Sequence, residues 1–228
     1  MSKADADRLA AHSGAEVKLS KASVGRFSLY LRHLECLHRE DTPTISSSQL
    51  GEALDITDAQ VRKDLAYLGN LGQPGIGYHT AKLIHALKQK LGVDRAWNVV
   101  VVGVGNLARA LLRYRGFGQQ GFRFVALFDG DDEKVGKPID DLMVYSMKEM
   151  NSVVEKLKAE LGVVAVPAAA AQEVTDMMVV AGIKGILNFA PTLLRVPHGV
   201  SLVAVDLAVQ LEQLAFLVHL TESGPDTR

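Results

Sequence analysis

The chain has 228 residues, of which 48 % are hydrophobic and 22 % charged, an ordinary globular composition that argues against extended disorder and against collagen-like or coiled-coil architectures. Its longest apolar stretches, residues 99–104 and 161–171, fall short of the roughly 18 residues that a membrane-spanning helix needs. The formal net charge of −1 argues against a protein coated in positive charge, although residues 17–95 carry 11 Lys and Arg against 8 Asp and Glu and residues 96–228 carry 12 against 15.

The chain begins with a predicted polar tail, residues 1–16, which mixes acidic and basic side chains and contains no apolar segment of a signal peptide. We therefore expect a cytoplasmic protein with no membrane partner. The single cysteine, Cys36, excludes an intrachain disulfide and a cysteine-based zinc site, and we expect it to be buried as a small hydrophobic residue. The seven histidines show no metal-ligand spacing, so no metal is expected.

Residues 17–95 are predicted to form a DNA-binding domain. Apolar residues at helical spacing predict helices at residues 24–39, 49–54 and 58–68, and Thr57 with Gln60 predicts a capping box at the start of the third. The apolar stripe of that helix leaves a polar outer face made by Gln60, Arg62, Lys63 and Tyr67. Two short helices with a tight turn and a basic outer face are typical of a helix-turn-helix, although any helical domain can contain such a pair.

The segment after these helices favours the DNA-binding interpretation. Residues 69–78 contain four glycines and a proline, which predict a tight hairpin. A hairpin that directly follows a recognition helix is the wing of a winged helix-turn-helix.

Residues 96–205 are predicted to form a parallel α/β domain. Short Val-rich runs at residues 98–102, 123–128, 163–166, 185–188 and 201–205 have the length and the low polarity of strands that are buried on both faces. Helical segments at residues 107–114, 147–161 and 170–181 alternate with them. Gly182 follows the last of these at the position where a left-handed residue commonly ends a helix.

A glycine-rich motif between the first strand and the first helix of this domain predicts a dinucleotide site. It fits G-x-G-x-x-G/A and consists of Gly103, Val104, Gly105, Asn106, Leu107 and Ala108. The next strand ends at Asp129, 24 residues beyond Gly105, near the position of a carboxylate that binds ribose hydroxyls. Because Asp131 and Asp132 follow, we expect NAD(H) rather than NADP(H) as the cofactor.

Residues 206–228 are predicted to form an amphipathic helix and a tail. Asp206 is a candidate N-cap, and leucines recur along one stripe of the helix. Such a helix either covers its own domain or docks on another subunit.

These motifs together resemble the Rex family of redox-sensing transcriptional repressors. The resemblance spans residues 24–217 and includes the run Arg62-Lys63-Asp64-Leu65-Ala66-Tyr67, the glycines of the hairpin, the Gly103 loop and residues 182–191. It implies an α/β homodimer of winged-helix and Rossmann-like domains that exchanges carboxy-terminal helices. It also implies repression of genes of anaerobic or fermentative metabolism and release of DNA when NADH rises. Two departures are Ala108 in place of the commoner third glycine and Ser20 where many members have proline.

The resemblance also implies roles for individual residues. It places Arg62 and Lys63 where the recognition helix meets operator DNA and Tyr78 at the wing. With Gln60 and Tyr67 of the polar face described above, these are the residues expected to bind the operator, which is expected to be an inverted repeat. NAD(H) would be bound by Gly103, Val104, Gly105, Asn106, Leu107, Tyr114, Asp129 and Phe189. The residues whose contacts change between the DNA-bound and NADH-bound forms would be Arg32, Tyr114 and Asp206.

The alternative is an NAD-dependent oxidoreductase with a helical accessory domain. A dehydrogenase needs an acid–base group beside the nicotinamide. The candidates after the glycine loop, His198, His219, Tyr145 and Lys184, belong to no recognisable catalytic constellation, and no residues are left for a substrate domain. We therefore expect a protein that is not an enzyme.

Overall fold

The structure, a computed structural model, describes residues 19–222, and the fold changes at Asp94–Arg95 from a helical unit to one built on a seven-stranded sheet. The amino-terminal unit consists of α1 (Lys21–Arg39), β1 (Thr44–Ile45), α2 (Ser47–Leu54), α3 (Asp58–Leu65), a 3-10 turn (Ala66–Leu68), β2 (Gly72–Gln73), β3 (Gly77–His79) and α4 (Thr80–Leu91). Its three strands are antiparallel in the order β1-β3-β2. The predicted hairpin is β2–β3, whereas β1 was not predicted because a two-residue strand shows no alternation.

Serine and threonine side chains set the helix starts of this unit. Ser20 Oγ accepts a hydrogen bond from Ser23 N at 3.1 Å, so Ser20 is the N-cap and α1 begins three residues before the predicted start. Ser46 and Gln49 form a capping box that starts α2. The capping box predicted at α3 is only half right: Thr57 Oγ1 accepts from Gln60 N, but the Gln60 amide donates to Asp64 instead.

The core of the unit lies between these helices and is made by Phe27, Tyr30, Leu31, Leu34, Leu50, Val61, Leu65, Leu83 and Leu87. The expectation for Cys36 was wrong. Its side chain is only half-buried and its Sγ donates to Glu40 Oε1 at 3.4 Å. The reason is that the buried stripe of α1 ends at Leu34, before the last turn of the helix.

The second unit has the sheet order β10-β9-β8-β4-β5-β7-β6, parallel except for β6. Its strands are β4 (Trp97–Val102), β5 (Phe122–Asp129), β6 (Pro138–Ile139), β7 (Leu142–Ser146), β8 (Leu161–Val164), β9 (Gly185–Asn188) and β10 (Ser201–Ala204). Its helices are α5 (Asn106–Arg113), α6 (Gly116–Gln119), α7 (Met150–Leu157, after a 3-10 turn at Met147–Glu149), α8 (Ala168–Val180) and α9 (Leu207–Glu222). None of the helices within residues 19–222 is long and apolar enough to cross a membrane.

All five predicted strands are present, but one predicted helix was wrong in extent. The helix expected over residues 147–161 ends at Leu157, because Lys158 adopts a left-handed conformation (φ 50°), and Leu161 already begins β8. Leu157 and Leu161 keep a helical spacing of apolar residues across this break, which concealed it from the pattern. Gly182, with φ 97°, follows α8 as predicted.

The two faces of the sheet are covered unequally. One face packs against α7 and α8 through residues such as Val100, Val153 and Val174, whereas the other packs against α5 through Val99, Val101 and Ala108. Beside α5 an apolar cavity of about 390 Å³ lies over β8, β9 and β10. We call it the sheet-face groove; its lining includes Val99, Leu111, Phe117, Phe124, Val163, Leu187 and Val203.

Candidate DNA-binding and nucleotide-binding sites

The loop between β4 and α5 has the geometry of a phosphate cradle. Gly103 has φ 90°, and a Cβ there would lie 2.5 Å from the Ala165 carbonyl oxygen, so only glycine fits. A Cβ on Gly105 would meet no atom of the described part of the chain within 4 Å, which leaves open space in front of the loop. Among the described residues no side chain caps the amino terminus of α5, so its first N–H groups are available to an anion. Ala108 is fully buried, as close packing at this third motif position requires.

Asp129 lies at the carboxyl end of β5, beside this loop. Its Oδ2 accepts from Val104 N at 2.8 Å and from Lys134 Nζ at 3.1 Å, and its Oδ1 accepts from Asp131 N at 2.9 Å. Burial raises the pKa of this carboxyl, but the hydrogen bonds outweigh burial and the pKa is lowered. Asp129 is therefore ionised, with room for a further donor because a carboxylate has about four acceptor positions.

Sequence reasoning found Asp129 but missed Lys134. The only signal was a basic residue at the end of an acidic run, which is usually a solvated surface feature. Lys134 Nζ also lies 3.5 Å from Asp131 Oδ2, so it offsets part of the negative charge that was expected to exclude a 2′-phosphate. Val104 has a buried side chain and an engaged N–H, and its contribution is to tie Asp129 to the loop.

These features fit a dinucleotide. β4 has β5 on one side and β8 on the other, which makes its carboxyl end the switch point where parallel α/β sheets bind ligands. The open space at Gly105 and the uncapped α5 suit a pyrophosphate, and Asp129 suits ribose hydroxyls. Asn106 and Leu107 are exposed in the first turn of α5, and the half-buried Phe189 follows β9 at the same edge of the sheet.

The predicted DNA-binding residues divide into exposed and engaged side chains. Lys63 and Tyr67 are exposed on α3 and the turn after it. Arg62 is exposed but its Nη1 lies 2.6 Å from Asp58 Oδ2 and 3.3 Å from Ser47 Oγ. The Tyr78 ring is half-buried and packs over β2, where a Cβ on Gly72 would lie 3.1 Å from it.

Gln60 belongs to a buried network that sequence reasoning missed. Its Nε2 donates to Asp64 Oδ1 at 2.9 Å, and Asp64 also accepts from Arg26 and from the Tyr30 hydroxyl at 2.8 Å. Burial raises the pKa of Asp64, but these hydrogen bonds outweigh it and the pKa is lowered. The position of Asp64 three residues after Val61, on the inner side of α3, was the available signal.

Comparison with known proteins identifies the family. A model described as "Putative DNA-binding protein N-terminus" matches residues 18–66, and a model described as "CoA binding domain" matches residues 94–192. The redox-sensing transcriptional repressor Rex of Carboxydothermus hydrogenoformans is 47 % identical over 202 residues, which cover 89 % of this chain and 97 % of that protein. The chain belongs to the Rex family. The Rex protein of Streptomyces coelicolor is 43 % identical over 198 residues, 87 % of this chain and 77 % of its own length.

Solved structures confirm the predicted fold class for this Rex-family chain. The crystal structure of RSP in complex with beta-NAD+ and operator DNA matches with a TM-score of 0.85 and 34 % identity, covering 91 % of this chain and 95 % of RSP. RSP in complex with beta-NADH matches with a TM-score of 0.81 and 32 % identity, covering 91 % and 97 %. RSP itself is described as a Rex-family repressor.

The three residues expected to switch in a Rex protein lie in different settings. Arg32 is exposed on α1. Tyr114 follows α5 directly, is 59 % exposed, and packs edge-on against Phe117 with ring centroids 5.1 Å apart. Asp206 caps α9, because its Oδ1 accepts from Ala208 N at 2.9 Å and from Val209 N at 3.2 Å. Within residues 19–222 of one chain, the structure records no hydrogen bond between Tyr114 and Asp206, so their pairing stays a prediction.

Proposed function

We propose that this Rex-family protein is a DNA-binding transcriptional repressor that senses the ratio of NADH to NAD+ and releases its operator on binding NADH. The observation that carries the proposal is the presence, in one chain, of a winged helix with an exposed basic face and an open glycine cradle at a sheet switch point. The relative RSP has been crystallised with operator DNA and with both oxidation states of the cofactor, which supports the same pairing of ligands here.

In this proposal α3 enters the major groove of the operator. Lys63 has an exposed ammonium group and Arg62 an exposed guanidinium, which suit phosphate and base contacts respectively. Tyr67 and Tyr78 flank them from the turn after α3 and from the wing. The Gln60 Nε2 donates to Asp64, which holds the side chain in place, and its Oε1 would accept a hydrogen bond from DNA.

NAD(H) would bind across the carboxyl ends of β4, β5 and β9. The N–H groups at the start of α5 would hold the pyrophosphate, Asp129 the adenosine ribose, and Phe189 would lie at the nicotinamide end. The cofactor supplies a ring whose charge differs between its two oxidation states. The chain's residues bind it and orient it, and the difference in ring charge is what a sensor must detect.

We further propose a homodimer in which α9 of one copy occupies the sheet-face groove of the other. A parallel sheet needs cover on both faces, yet Val203 in this groove is 57 % exposed. Meanwhile α9 is exposed along its length and apolar on several sides, with Leu211 67 % exposed. Leu211→Glu should shift the protein to a monomer in sedimentation, whereas Val180→Glu, at the exposed end of α8, should not. Equal behaviour of the two variants would contradict the exchange.

NADH is proposed as a ligand rather than a hydride donor. The proteins to which this chain is similar are named as repressors. One of the candidate acid–base groups is engaged elsewhere, because Lys184 Nζ pairs with Glu160 at 3.0 Å. Incubation of bound NADH with a panel of carbonyl compounds should leave its absorbance unchanged.

The test of the proposed function is selection of binding sites from random duplexes, with and without NADH. We expect an inverted repeat whose half-sites are spaced by about one or two helical turns, recovered without NADH and lost with it. Selection of no sequence, or of the same sequence at equal strength with NADH present, would overturn the proposal.

A further inference from the structure

The acidic residue Asp58 lies on the surface that, in the proposed function, faces DNA. Asp58 is the first residue of α3, and its Oδ2 lies 2.6 Å from Nη1 of Arg62, one turn later. Both side chains are about half exposed, 44 % for Asp58 and 54 % for Arg62. DNA phosphates repel a carboxylate at this position, so Asp58 needs an explanation other than attraction to DNA.

The carboxylate is stable where it lies. The amino terminus of a helix favours negative charge, and the hydrogen bond from Arg62 lowers the pKa of Asp58. Asp58 therefore remains ionised at neutral pH, and Arg62 approaches DNA with a competing anion already attached.

The contacts of Arg62 engage only one edge of its guanidinium. Asp58 and Ser47 both accept from Nη1, and no acceptor among residues 19–222 is bound to the Nε and Nη2 donors. A guanidinium has five N–H donors in a fixed plane, and two of them on one edge can pair with O6 and N7 of a guanine. With Nη1 held, the free edge has a defined orientation.

We propose that Asp58 is a specificity-determining residue for the operator, a proposal that rests on the proposed DNA-binding function. On DNA of arbitrary sequence, Asp58 competes with phosphates for Arg62 and so weakens binding. On the operator, the same contact orients the free edge of Arg62 toward a base. One ion pair thereby has opposite effects on the two kinds of DNA.

The experiment compares Asp58→Ala and Asp58→Asn with Glu52→Gln, which removes an exposed charge from the neighbouring helix α2. Binding of each protein to operator and to random duplex is measured over a salt series, and thermal unfolding checks that each is folded. We expect both Asp58 variants to bind random duplex more tightly, with a salt slope steeper by about 0.9. The ratio of operator to random affinity should fall by about fivefold. Glu52→Gln should change both affinities by the same small factor.

The outcomes separate the two proposals. In an Arg62→Ala background, Asp58→Ala should lose its effect on the affinity ratio, as a double-mutant cycle requires of coupled residues. Equal shifts on operator and random duplex, matching those of Glu52→Gln, would overturn the role of Asp58 alone. A parent protein that binds both duplexes equally would overturn the proposed function and this inference with it.

Discussion

Arg26 on α1 donates two hydrogen bonds to Asp64 on α3, from Nε to Oδ2 at 2.5 Å and from Nη2 to Oδ1 at 2.8 Å. The Asp64 side chain is 1 % exposed and that of Arg26 is 25 % exposed. A pair with two bonds fixes direction as well as distance. The recognition helix is therefore attached to α1 by a polar contact beneath the residues proposed to meet DNA.

Removal of the Asp64 carboxylate should destabilise the amino-terminal unit. Asp64→Ala removes the carboxylate that accepts from Arg26 and from the Tyr30 hydroxyl, and Arg26 keeps only Ser23 Oγ as an acceptor. We expect a loss of about 3 kcal/mol, the lower end for a broken buried pair because Arg26 is partly hydrated. Urea unfolding measures the loss, with Glu52→Ala as the exposed control. A change below about 1 kcal/mol would show that the pair contributes no more than a surface ion pair.

The same carboxylate predicts the direction of a pH effect. Its pKa is lowered in the folded protein, whereas the unfolded value is about 3.9. Its contribution is therefore complete above the unfolded pKa and is lost as the pH falls through the folded pKa. The difference in unfolding free energy between the parent and Asp64→Asn should be constant near neutral pH and shrink below about pH 4. A difference that stays constant down to the acid transition would contradict this assignment.

Lys63 should contribute to DNA affinity through charge. Lys63→Ala is expected to weaken operator binding and to lower the salt slope by about one, because one phosphate contact is lost. Lys90→Ala removes the same charge from α4 and should leave the slope unchanged. If Lys63→Ala binds operator like the parent across the salt series, the assignment of α3 as the recognition helix is wrong.

The two loop glycines should respond differently to alanine. Gly103→Ala places a Cβ against the Ala165 carbonyl at φ 90°, so we expect a loss of stability of about 1–3 kcal/mol or more. Gly105→Ala meets no atom and should leave the unfolding midpoint unchanged, but its methyl group occupies the space proposed for the pyrophosphate. NADH affinity should then fall by about tenfold, or 1.4 kcal/mol. Undiminished NADH binding by Gly105→Ala would move the cofactor away from this loop.

Asp129 and Lys134 should affect cofactor choice in opposite directions. The parent is expected to bind NADH more tightly than NADPH. Asp129→Asn should narrow this difference in affinity, because it weakens the contact with the ribose hydroxyls of NADH. Lys134→Ala should widen it, because the cation that offsets Asp129 and Asp131 is removed. Titrations with both cofactors measure the ratio of the two affinities, with Glu155→Gln, which removes an exposed carboxylate from α7, as the control. Equal affinities of the parent for the two cofactors would remove Asp129 from this role.

Asp206 is predicted to couple the cofactor to DNA by exchanging Tyr114 and Arg32 as partners. Because Asp206 also caps α9, Asp206→Asn is the better variant: asparagine retains a cap and loses the charge. The variant should bind NADH and DNA, yet NADH should have much less effect on its affinity for DNA. To move the protein completely from the DNA-binding state to the other state, NADH must bind the two states with affinities that differ by about 5.5 kcal/mol. Linkage demands that operator weaken NADH binding by the same factor. Equal NADH affinities with and without saturating operator would make NADH a passive ligand.

The sequence predicted those features whose cause is local. Gly103 needs a left-handed backbone and Ala108 a small side chain, and both requirements are visible in a six-residue motif that follows an apolar strand. The strand at residues 185–188 was predicted with its observed bounds because both ends are marked by residues that break the apolar run.

Contacts between distant residues were not predictable. Asp64 and Arg26 are 38 residues apart, and only the packing of α3 against α1 brings them together. Lys134 pairs with Asp129 and Asp131, which are only five and three residues away, but the turn after β5 that brings them together leaves no periodic pattern in the sequence. The strand β6 was missed because it has only two residues, at the sheet edge, whereas β7 was missed although residues 142–145 form a short apolar run.

The proposed exchange of α9 has a genetic consequence. In such a dimer each chain both gives a helix and receives one, so the two functions can be lost separately. A chain that ends before Leu207 would keep the sheet-face groove and its winged helix but have no helix to return. When it is expressed together with the full-length chain, it would form heterodimers in which only one helix is exchanged. A single truncated allele would therefore act dominantly over the intact one.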